Sequence, residues 1–399
     1  KSVFRSYDVR GAVPQEMDAS TAYAVAQAFI QFNPAKVVVV GYDHRQSTPE
    51  LRDALIEGLL DAGVAVWDIG QVTTDTTYFA SWFYAKNGVE GAVMITASHM
   101  PAQFNGFKFI TKALQPIGQG SGMEELYELA SKIKAAKPAS KRGVCISKDV
   151  MVDYLSFVRS FVDTSVLRPM KVVMDVGNGV AGATVRKVFA GLPLETTELC
   201  FEPDSTFPNH EANPIIPENR RDIEAKVLEI GADLGIAWDA DADRAYFIDE
   251  KGQFVHGDFL TALLAEQFLQ KHPGAAIVYD LRASRVVPET VAKCGGKAYM
   301  ERVGHAHIKH RMRAEKAVFG GEVSGHYYFA ENQYMDNGMI PVLMVLDLLS
   351  RSGRTLSELI SELGDYYVSG EINSQVKDQK AAMDAIKSKY ADAKLSFLD

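Results

Sequence analysis

Short uninterrupted apolar runs, each giving way to a polar stretch rich in turn residues and then to apolar positions at helical spacing, recur along this chain. The runs at 36–40, 64–69 and 91–95 read as buried strands, since short apolar segments bounded by turn signals fit strands covered on both faces. Between them, residues 21–32 and 75–84 carry helical spacing, and a helix following Pro49 sets Leu51, Leu55 and Leu59 on one face. Strand, polar loop and helix in repetition predict a largely parallel sheet. The pattern starts again after residue 150, with an amphipathic 150–162 leading to a strand at 171–175, and a third time with a strand at 275–280. Strand-then-loop stretches at 36–45, 171–179 and 275–284 therefore predict three similar α/β units. Residues 132–141, rich in Lys and Ala with one Pro, read as a surface helix and connector. The last thirty residues are polar, offer weak strands at best, and read as the start of a fourth unit.

Composition narrows the class. A chain of 399 residues, 47% hydrophobic and 23% charged, fits a globular protein of several domains. The formal net charge of −9 argues against a broad nucleic-acid surface and leaves room for local positive sites that hold a small anionic substrate. Cys145, Cys200 and Cys294 are odd in number and far apart, as expected in a reducing compartment. Residues 1–5 lack the apolar core of a secretory leader, and the apolar stretch 339–349 is broken by Asp347 and too short to span a bilayer. These features predict a cytoplasmic protein without a nucleic-acid or membrane partner.

Chemistry concentrates where apolar runs end. The run at 91–95 delivers the chain into Thr96-Ala97-Ser98-His99-Met100-Pro101, with Asn105-Gly106-Phe107-Lys108 close behind. In open α/β sheets ligands bind beyond the carboxyl ends of the strands, so Ser98 faces a crevice. An activated hydroxyl there is a nucleophile or phosphate carrier; a Ser that only caps a turn is the alternative. Near the start, Phe4-Arg5-Ser6-Tyr7-Asp8-Val9-Arg10-Gly11 holds two arginines, rigid forks for phosphate oxygens, although a surface ion pair would use the same residues. Between the apolar stretches 234–238 and 245–248 lies Asp239-Ala240-Asp241-Ala242-Asp243-Arg244. Three carboxylates at alternate positions repel one another unless a cation offsets them, and hard oxygen donors suit Mg²⁺ or Ca²⁺. An EF-hand fails, because Arg244 stands where its turn needs Gly and the flanks are strands; Mg²⁺ with a phosphate as fellow ligand is the better reading, and a solvated acidic loop is the alternative.

Two further stretches bear on function. Gly177-Asn178-Gly179-Val180-Ala181-Gly182, with Glu198 downstream, matches the GxGxxG dinucleotide fingerprint and keeps a dinucleotide-dependent oxidoreductase open as an alternative. That reading leaves Ser98 and the aspartate loop without a role, and a tight strand-to-helix turn would need the same glycines. In the third unit, Gly304-His305 and Lys309 precede Gly320-Gly321-Glu322-Val323-Ser324-Gly325-His326. Glu, Ser and His at alternate positions can bind the vicinal hydroxyls of a sugar, and His305 and His326 can exchange protons near neutrality. A GxxxxGK[ST] phosphate loop is absent from the sequence, which argues against a nucleotide kinase of that type.

With these motifs in this order, the chain resembles the α-D-phosphohexomutase superfamily, and within it the bacterial phosphomannomutase/phosphoglucomutase group. The FRxYDxRG start falls at Phe4 to Gly11, and the phosphoserine loop TASHNPxxxNGxK at Thr96 to Lys108 with one change. The metal loop DGDxDR falls at Asp239 to Arg244 with one change, and the sugar loop GExSGH at Gly321 to His326. The resemblance implies three similar mixed-sheet α/β domains (1–148, 149–252 and 253–367) and, at 368–399, the beginning of a smaller fourth α+β domain. It implies that Ser98 carries the phosphoryl group and, with Asp239, Asp241 and Asp243, holds Mg²⁺. Arg10, Lys108, His305 and Arg244 would serve catalysis, while Tyr7, His99, Arg282, Gly304, Glu322, Ser324 and His326 would contact the substrate. The implied reaction interconverts hexose 6-phosphate and hexose 1-phosphate through a hexose 1,6-bisphosphate, which also primes the enzyme, in a monomer or weak homodimer. Phosphoglucosamine mutase activity is the nearest alternative.

The chain departs from the family pattern at four places. Met100 replaces the usual Asn beside Ser98, Tyr42 replaces a common Arg, and Ala240 replaces a Gly, which would strain the backbone if that position needs a positive φ. No RxSNTEP-type phosphate loop follows Gly370, so the sequence reads as a form shortened within the fourth domain.

Overall fold

The computed structural model describes residues 2–133, 139–367, 374–393 and 398. The first unit contains β1 (Val9–Ala12), α1 (Ala19–Phe32), β2 (Val37–Tyr42), α2 (Thr48–Asp61), β3 (Ala65–Gln71), α3 (Thr74–Phe83), β4 (Val89–Ile95), β5 (Phe104–Ile110), α4 (Met123–Lys132) and β6 (Cys145–Ser147). The strand read at 36–40 thus runs on to Tyr42, and the helix expected across 132–141 ends at Lys132, with 134–138 outside the described residues. Local chemistry explains the elements. Four successive valines give β2 its β-branched, buried character, and burying each of Val38, Val39 and Val40 contributes about 1.5–3 kcal/mol. Asp18 caps α1 by accepting from the Thr21 N–H, and Pro49 sits in the first turn of α2, where a missing N–H costs nothing.

The second unit contains α5 (Met151–Arg159), β7 (Met170–Asp175), α6 (Gly182–Phe189), β8 (Leu194–Leu199), α7 (Arg221–Ile230), β9 (Leu234–Trp238), β10 (Ala245–Ile248) and β11 (Phe254–Val255). The third contains α8 (Gly257–Lys271), β12 (Ala276–Asp280), α9 (Val286–Lys293), β13 (Lys297–Glu301), α10 (His305–Glu315), β14 (Phe319–Gly321), β15 (Tyr327–Phe329), β16 (Met335–Asp336), α11 (Ile340–Ser352) and α12 (Leu356–Glu362). The three sheets run β1-β5-β4-β2-β3-β6, β11-β10-β9-β7-β8 and β13-β12-β14-β15-β16. Each combines parallel strands joined by helical crossovers with an antiparallel extension, so three mixed-sheet α/β units are present as expected.

The repetition extends to single atoms. An interior parallel strand of each sheet leads into an aspartate: Asp43, Asp175 and Asp280. One oxygen of each accepts from the N–H two residues on, namely Arg45 (3.0 Å), Gly177 (2.8 Å) and Arg282 (2.8 Å). One apolar core runs continuously through the second and third units and takes in Phe79 of the first, which holds the three against each other.

The tail corrects the expectation of weak strands. Gln379–Lys389 forms α13, capped by Asp378, in keeping with the high helix propensity of its Lys and Ala residues. The expected opening of the fourth unit at 369–373 lies outside the described residues.

Candidate active site

β4 leads out of the first sheet into Thr96-Ala97-Ser98, and Ser98 takes a left-handed φ of 52°. A non-glycine residue there costs roughly 1–2 kcal/mol, so surrounding bonds must hold it. They do: the Ser98 N–H donates to Thr96 Oγ1 (2.9 Å), and the Thr96 N–H to the Gly106 carbonyl (3.0 Å). Gly106 is required by close approach, since a Cβ there would lie 2.4 Å from the Val9 carbonyl oxygen. The antiparallel registers Arg10↔Gly106 and Met94↔Lys108 bring β1 and β5 alongside, which delivers Arg10 and Lys108 to the same end of the sheet as Ser98.

The aspartate loop closes the hairpin between β9 and β10, whose last ladder pair is Trp238↔Ala245. All three units grip it. From the first, the Thr74 N–H donates to the Asp241 carbonyl (3.0 Å) and Thr74 Oγ1 to Asp241 Oδ2 (2.6 Å). Within the second, the Val180 N–H donates to the Ala240 carbonyl (2.9 Å). From the third, a bridge pairs Arg244 with His326, and Tyr246 Oη donates to the Ser324 carbonyl (2.8 Å). The strain expected at Ala240 is absent; the left-handed residue of the loop is Ala242, with φ 55°.

The two loops meet. Ser98 Oγ donates to Asp239 Oδ2 at 2.8 Å, and Arg244 Nε and Nη2 reach the same oxygen at 2.9 and 2.6 Å. Lys108 Nζ lies between Asp241 Oδ2 (2.7 Å) and Asp243 Oδ2 (2.6 Å). Three buried carboxylates thus face two buried cations. Burial pushes Asp239 up to about 7. Burial also opposes the Lys108 charge, but Asp241 and Asp243 outweigh it and hold the ammonium well above its ordinary range. Arg244, with burial second, drives the His99 imidazole down to about 2, so His99 is neutral and accepts from Arg244 at Nδ1.

A divalent cation fits this set. One carboxylate oxygen from each of Asp239, Asp241 and Asp243 lies within 4.8 Å of the others, all are hard donors, and buried Asp241 Oδ1 has no hydrogen-bond partner.

The third unit completes the pocket. Gly304 packs on Tyr7, where a Cβ would meet the ring at 2.5 Å, and Tyr7 Oη donates to the Val303 carbonyl (3.1 Å). Glu322 accepts from the Gly304 N–H (3.0 Å) and from Tyr328 Oη (2.6 Å). His326 Nδ1 is 3.0 Å from Ser324 Oγ, and its Nε2 faces Asp243 Oδ1 at 3.5 Å; burial opposes its charge, but Asp243 raises its pKa overall. Burial and then neighbouring Lys309 hold His305 well below its usual range. Arg282 pairs with Asp280, whose Oδ2 also accepts from the Val323 N–H (2.9 Å), at the edge of the sugar loop. Arg10 pairs with Asp8 and, with Tyr7, Met100 and Phe104, lines an adjoining cavity of about 340 Å³. The structure therefore gathers Ser98, Lys108, the aspartate loop and the sugar loop into one buried cluster.

Three residues that sequence reasoning left off the site support it. Buried Arg45 donates to the carbonyls of Ser98 (2.6 Å), Met100 (2.7 Å), Pro101 (2.8 Å) and Phe104 (3.0 Å) while pairing with Asp43. Its signal was the Asp-x-Arg at 43–45, repeated at 280–282. Thr74 and buried Lys309, paired with Asp336 at 2.9 Å, had no local signature. The GxGxxG turn proves to serve packing: a Cβ at Gly179 would lie 2.5 Å from the Ala240 carbonyl oxygen, and Glu198 pairs with Arg186.

Three α/β units meet at a Ser-plus-aspartate cluster, and comparison with known proteins places this architecture. Models of the phosphoglucomutase/phosphomannomutase α/β/α domains I, II and III match residues 1–137, 152–252 and 256–367. The chain belongs to this family, within the α-D-phosphohexomutase superfamily, whose mutases are intramolecular phosphotransferases. It is 38% identical over 400 residues to a phosphomannomutase of Salmonella montevideo, covering 98% of this chain and 86% of that protein. It is 40% identical over 392 residues to phosphohexose mutases of Xanthomonas campestris pv. campestris, covering 98% and 86%. Among solved structures, a phosphoglucomutase/phosphomannomutase family protein from Burkholderia thailandensis superposes with a TM-score of 0.83 at 34% identity, over 91% of this chain and 80% of that one.

Proposed function

We propose that this chain interconverts hexose 6-phosphate and hexose 1-phosphate, with mannose and glucose phosphates as substrates and Ser98 as the phosphoryl carrier. The observation that carries this reading is the meeting of the Ser98 hydroxyl with the three-aspartate loop at 2.8 Å, in a buried cluster where Lys108 and Arg244 offset most of the carboxylate charge. The free hydroxyl of the sugar attacks phosphorus of phospho-Ser98; the new P–O bond forms, the bond to Ser98 Oγ breaks, and the hydroxyl proton passes to a base. His305, held neutral, is our assignment for that base. The resulting 1,6-bisphosphate reorients; the Ser98 alkoxide, stabilised by Arg244 Nη2 at 3.3 Å, attacks phosphorus of the other phosphoryl group, the bond to that sugar oxygen breaks, and the oxygen takes back the proton held by the base. Arg10, Lys108 and Arg244 offset the spread negative charge of the transferring group, a role in which losing one contact typically costs about 10²–10³ in rate. Mg²⁺, held by Asp239, Asp241, Asp243 and the phosphoserine, would draw charge from the same group. Glu322, Ser324 and His326, with Tyr7, His99, Arg282 and Gly304, would grip the sugar and its phosphate. We further take the protein to be cytoplasmic, a monomer or weak homodimer, primed by hexose 1,6-bisphosphate; its described cysteines are free, in line with a reducing compartment.

A coupled assay with mannose 1-phosphate, glucose 1-phosphate and glucosamine 1-phosphate, each with its bisphosphate primer and Mg²⁺, tests the substrate. Turnover of the first two supports the reading, and turnover of the third alone would replace it with a phosphoglucosamine mutase. Removal of Mg²⁺ with EDTA should abolish activity and its return restore it. Phosphate on Ser98 by peptide mass spectrometry is expected after incubation with bisphosphate; its absence in an active preparation would overturn the carrier assignment.

A further inference from the structure

In the first and third units, the aspartate that closes the interior strand is neutralised by an arginine two residues on: Arg45 Nε reaches Asp43 Oδ2 at 3.1 Å, and Arg282 Nη2 reaches Asp280 Oδ2 at 2.8 Å. The second unit breaks the rule. Its aspartate is Asp175, the residue two on is Gly177, and Oδ2 pairs with His210 Nε2 at 3.1 Å in place of an arginine. Cys200, just past β8 with a left-handed φ of 54°, sets its Sγ 3.8 Å from the same nitrogen. One ligand-type atom from each of Asp175, Cys200 and His210 lies within 4.8 Å of the others.

The donor chemistry is that of a transition-metal site. His210 Nδ1 lies 2.9 Å from the Glu211 carbonyl, which can only accept, so Nδ1 carries a proton and Nε2 is the atom turned toward Asp175 and Cys200. Such a second hydrogen bond is what orients an imidazole that ligates a metal. Zinc bonds of about 2.0–2.3 Å in a tetrahedron put neighbouring ligand atoms about 3.3–3.7 Å apart, and the observed 3.1 and 3.8 Å bracket that range. Asp175 is almost fully buried while His210 keeps a tenth of its side chain exposed, so the cluster is reachable from solvent.

The geometry points to a second metal site in this protein, in which Asp175 Oδ2, Cys200 Sγ and His210 Nε2 bind Zn²⁺ or Co²⁺ with a fourth position open to water. Binding exchanges the Cys200 thiol proton and the His210 Nε2 proton for the metal, and both protons leave to solvent. Thiolate and imidazole select against Mg²⁺, so this site and the all-oxygen loop at 239–243 sort different metals. Its occupancy would fasten the loop after Cys200 to the end of β7. Through that loop Phe207 lies 5.3 Å from the Arg45 guanidinium that supports the serine loop.

Cobalt(II) titration of the intact protein, with Mg²⁺ in excess to fill the oxygen site, provides the test. A thiolate-to-cobalt charge-transfer band is expected to saturate at one equivalent and to be displaced by Zn²⁺. Cys200→Ser should abolish it and His210→Gln should weaken cobalt binding by at least tenfold, while Cys145→Ser and Cys294→Ser leave it unchanged. A second readout needs no variant: Zn²⁺ should protect Cys200 from alkylation, mapped by peptide mass spectrometry. The absence of a band in the wild type, a band that survives Cys200→Ser, or unaltered alkylation of Cys200 under Zn²⁺ would each overturn the proposal.

Discussion

The Ser98 hydroxyl donates to Asp239 Oδ2 at 2.8 Å, although 141 positions of chain separate the two residues. Asp239 does not depend on that bond, because Arg244 supplies two more to the same oxygen. Ser98→Ala should therefore lower turnover by several orders of magnitude and leave the fold intact. The left-handed φ of 52° adds a stability signature: Ser98→Gly, free of the Cβ penalty, should be more stable than Ser98→Ala by about 1 kcal/mol. Thermal or urea unfolding of both variants checks this, and an Ala variant as stable as the Gly one would remove the case for strain.

Arg45 is the structural support of the serine loop. It satisfies four carbonyls across residues 98–104 and is fully buried against Asp43. Arg45→Ala leaves those carbonyls and a buried carboxylate unpaired, a loss of about 3–5 kcal/mol. Arg45→Lys should recover only part of it, because an ammonium cannot reproduce a planar fork of donors. Urea midpoints of the three proteins, read beside kcat, give the answer; a Lys variant equal to wild type would deny the fork its role.

What local pattern encodes was legible, and what depends on distant partners was not. Apolar runs gave away the strands, and because functional loops begin where strands end, Ser98 and Asp239 stood out. Arg45 follows a strand in the same way, yet its targets lie 53–59 residues downstream, so it read only as part of a polar loop after a strand. Thr74 looked like the start of an ordinary helix; its partner Asp241 is 167 residues away. Ala240 drew suspicion because it stands where the family pattern has Gly, while the positive φ belongs to Ala242. In the tail, polar composition hid a helix whose apolar positions are few.

Asp75, next to the Thr74 that grips the aspartate loop, gives a pH signature of its own. Burial raises its pKa from 3.8 to about 7, against hydrogen bonds from Thr73 and Tyr154. A carboxyl group with a raised folded pKa stabilises most when protonated: its contribution is fully present below about 4 and fades as pH climbs through 7. Asp75→Asn cannot titrate, so the stability difference between wild type and variant should shift toward the variant by about 1–4 kcal/mol from pH 4 to 8 and then level off. Urea unfolding at four pH values measures that difference; a constant gap, or one moving the other way, would contradict the raised pKa.

Lys108 lies where a divalent cation would be drawn, with its ammonium within 2.7 Å of both Asp241 and Asp243. In the absence of metal it is one of two cations that offset three buried carboxylates, the other being Arg244. Lys108→Met keeps the length of the side chain and removes the charge, so without metal it should destabilise by about 3–5 kcal/mol, the usual effect of orphaning a buried ion. Mg²⁺ then meets a site with no competing ammonium. Ligand at about a hundred times its Kd contributes about 2.7 kcal/mol, and tighter binding to the variant raises that gain at equal Mg²⁺. Melting temperatures with and without Mg²⁺ should therefore rise more for Lys108→Met than for wild type, and the excess should vanish when Asp241→Asn is added. Equal rises in the two proteins would show that the ammonium and the metal do not share these carboxylates.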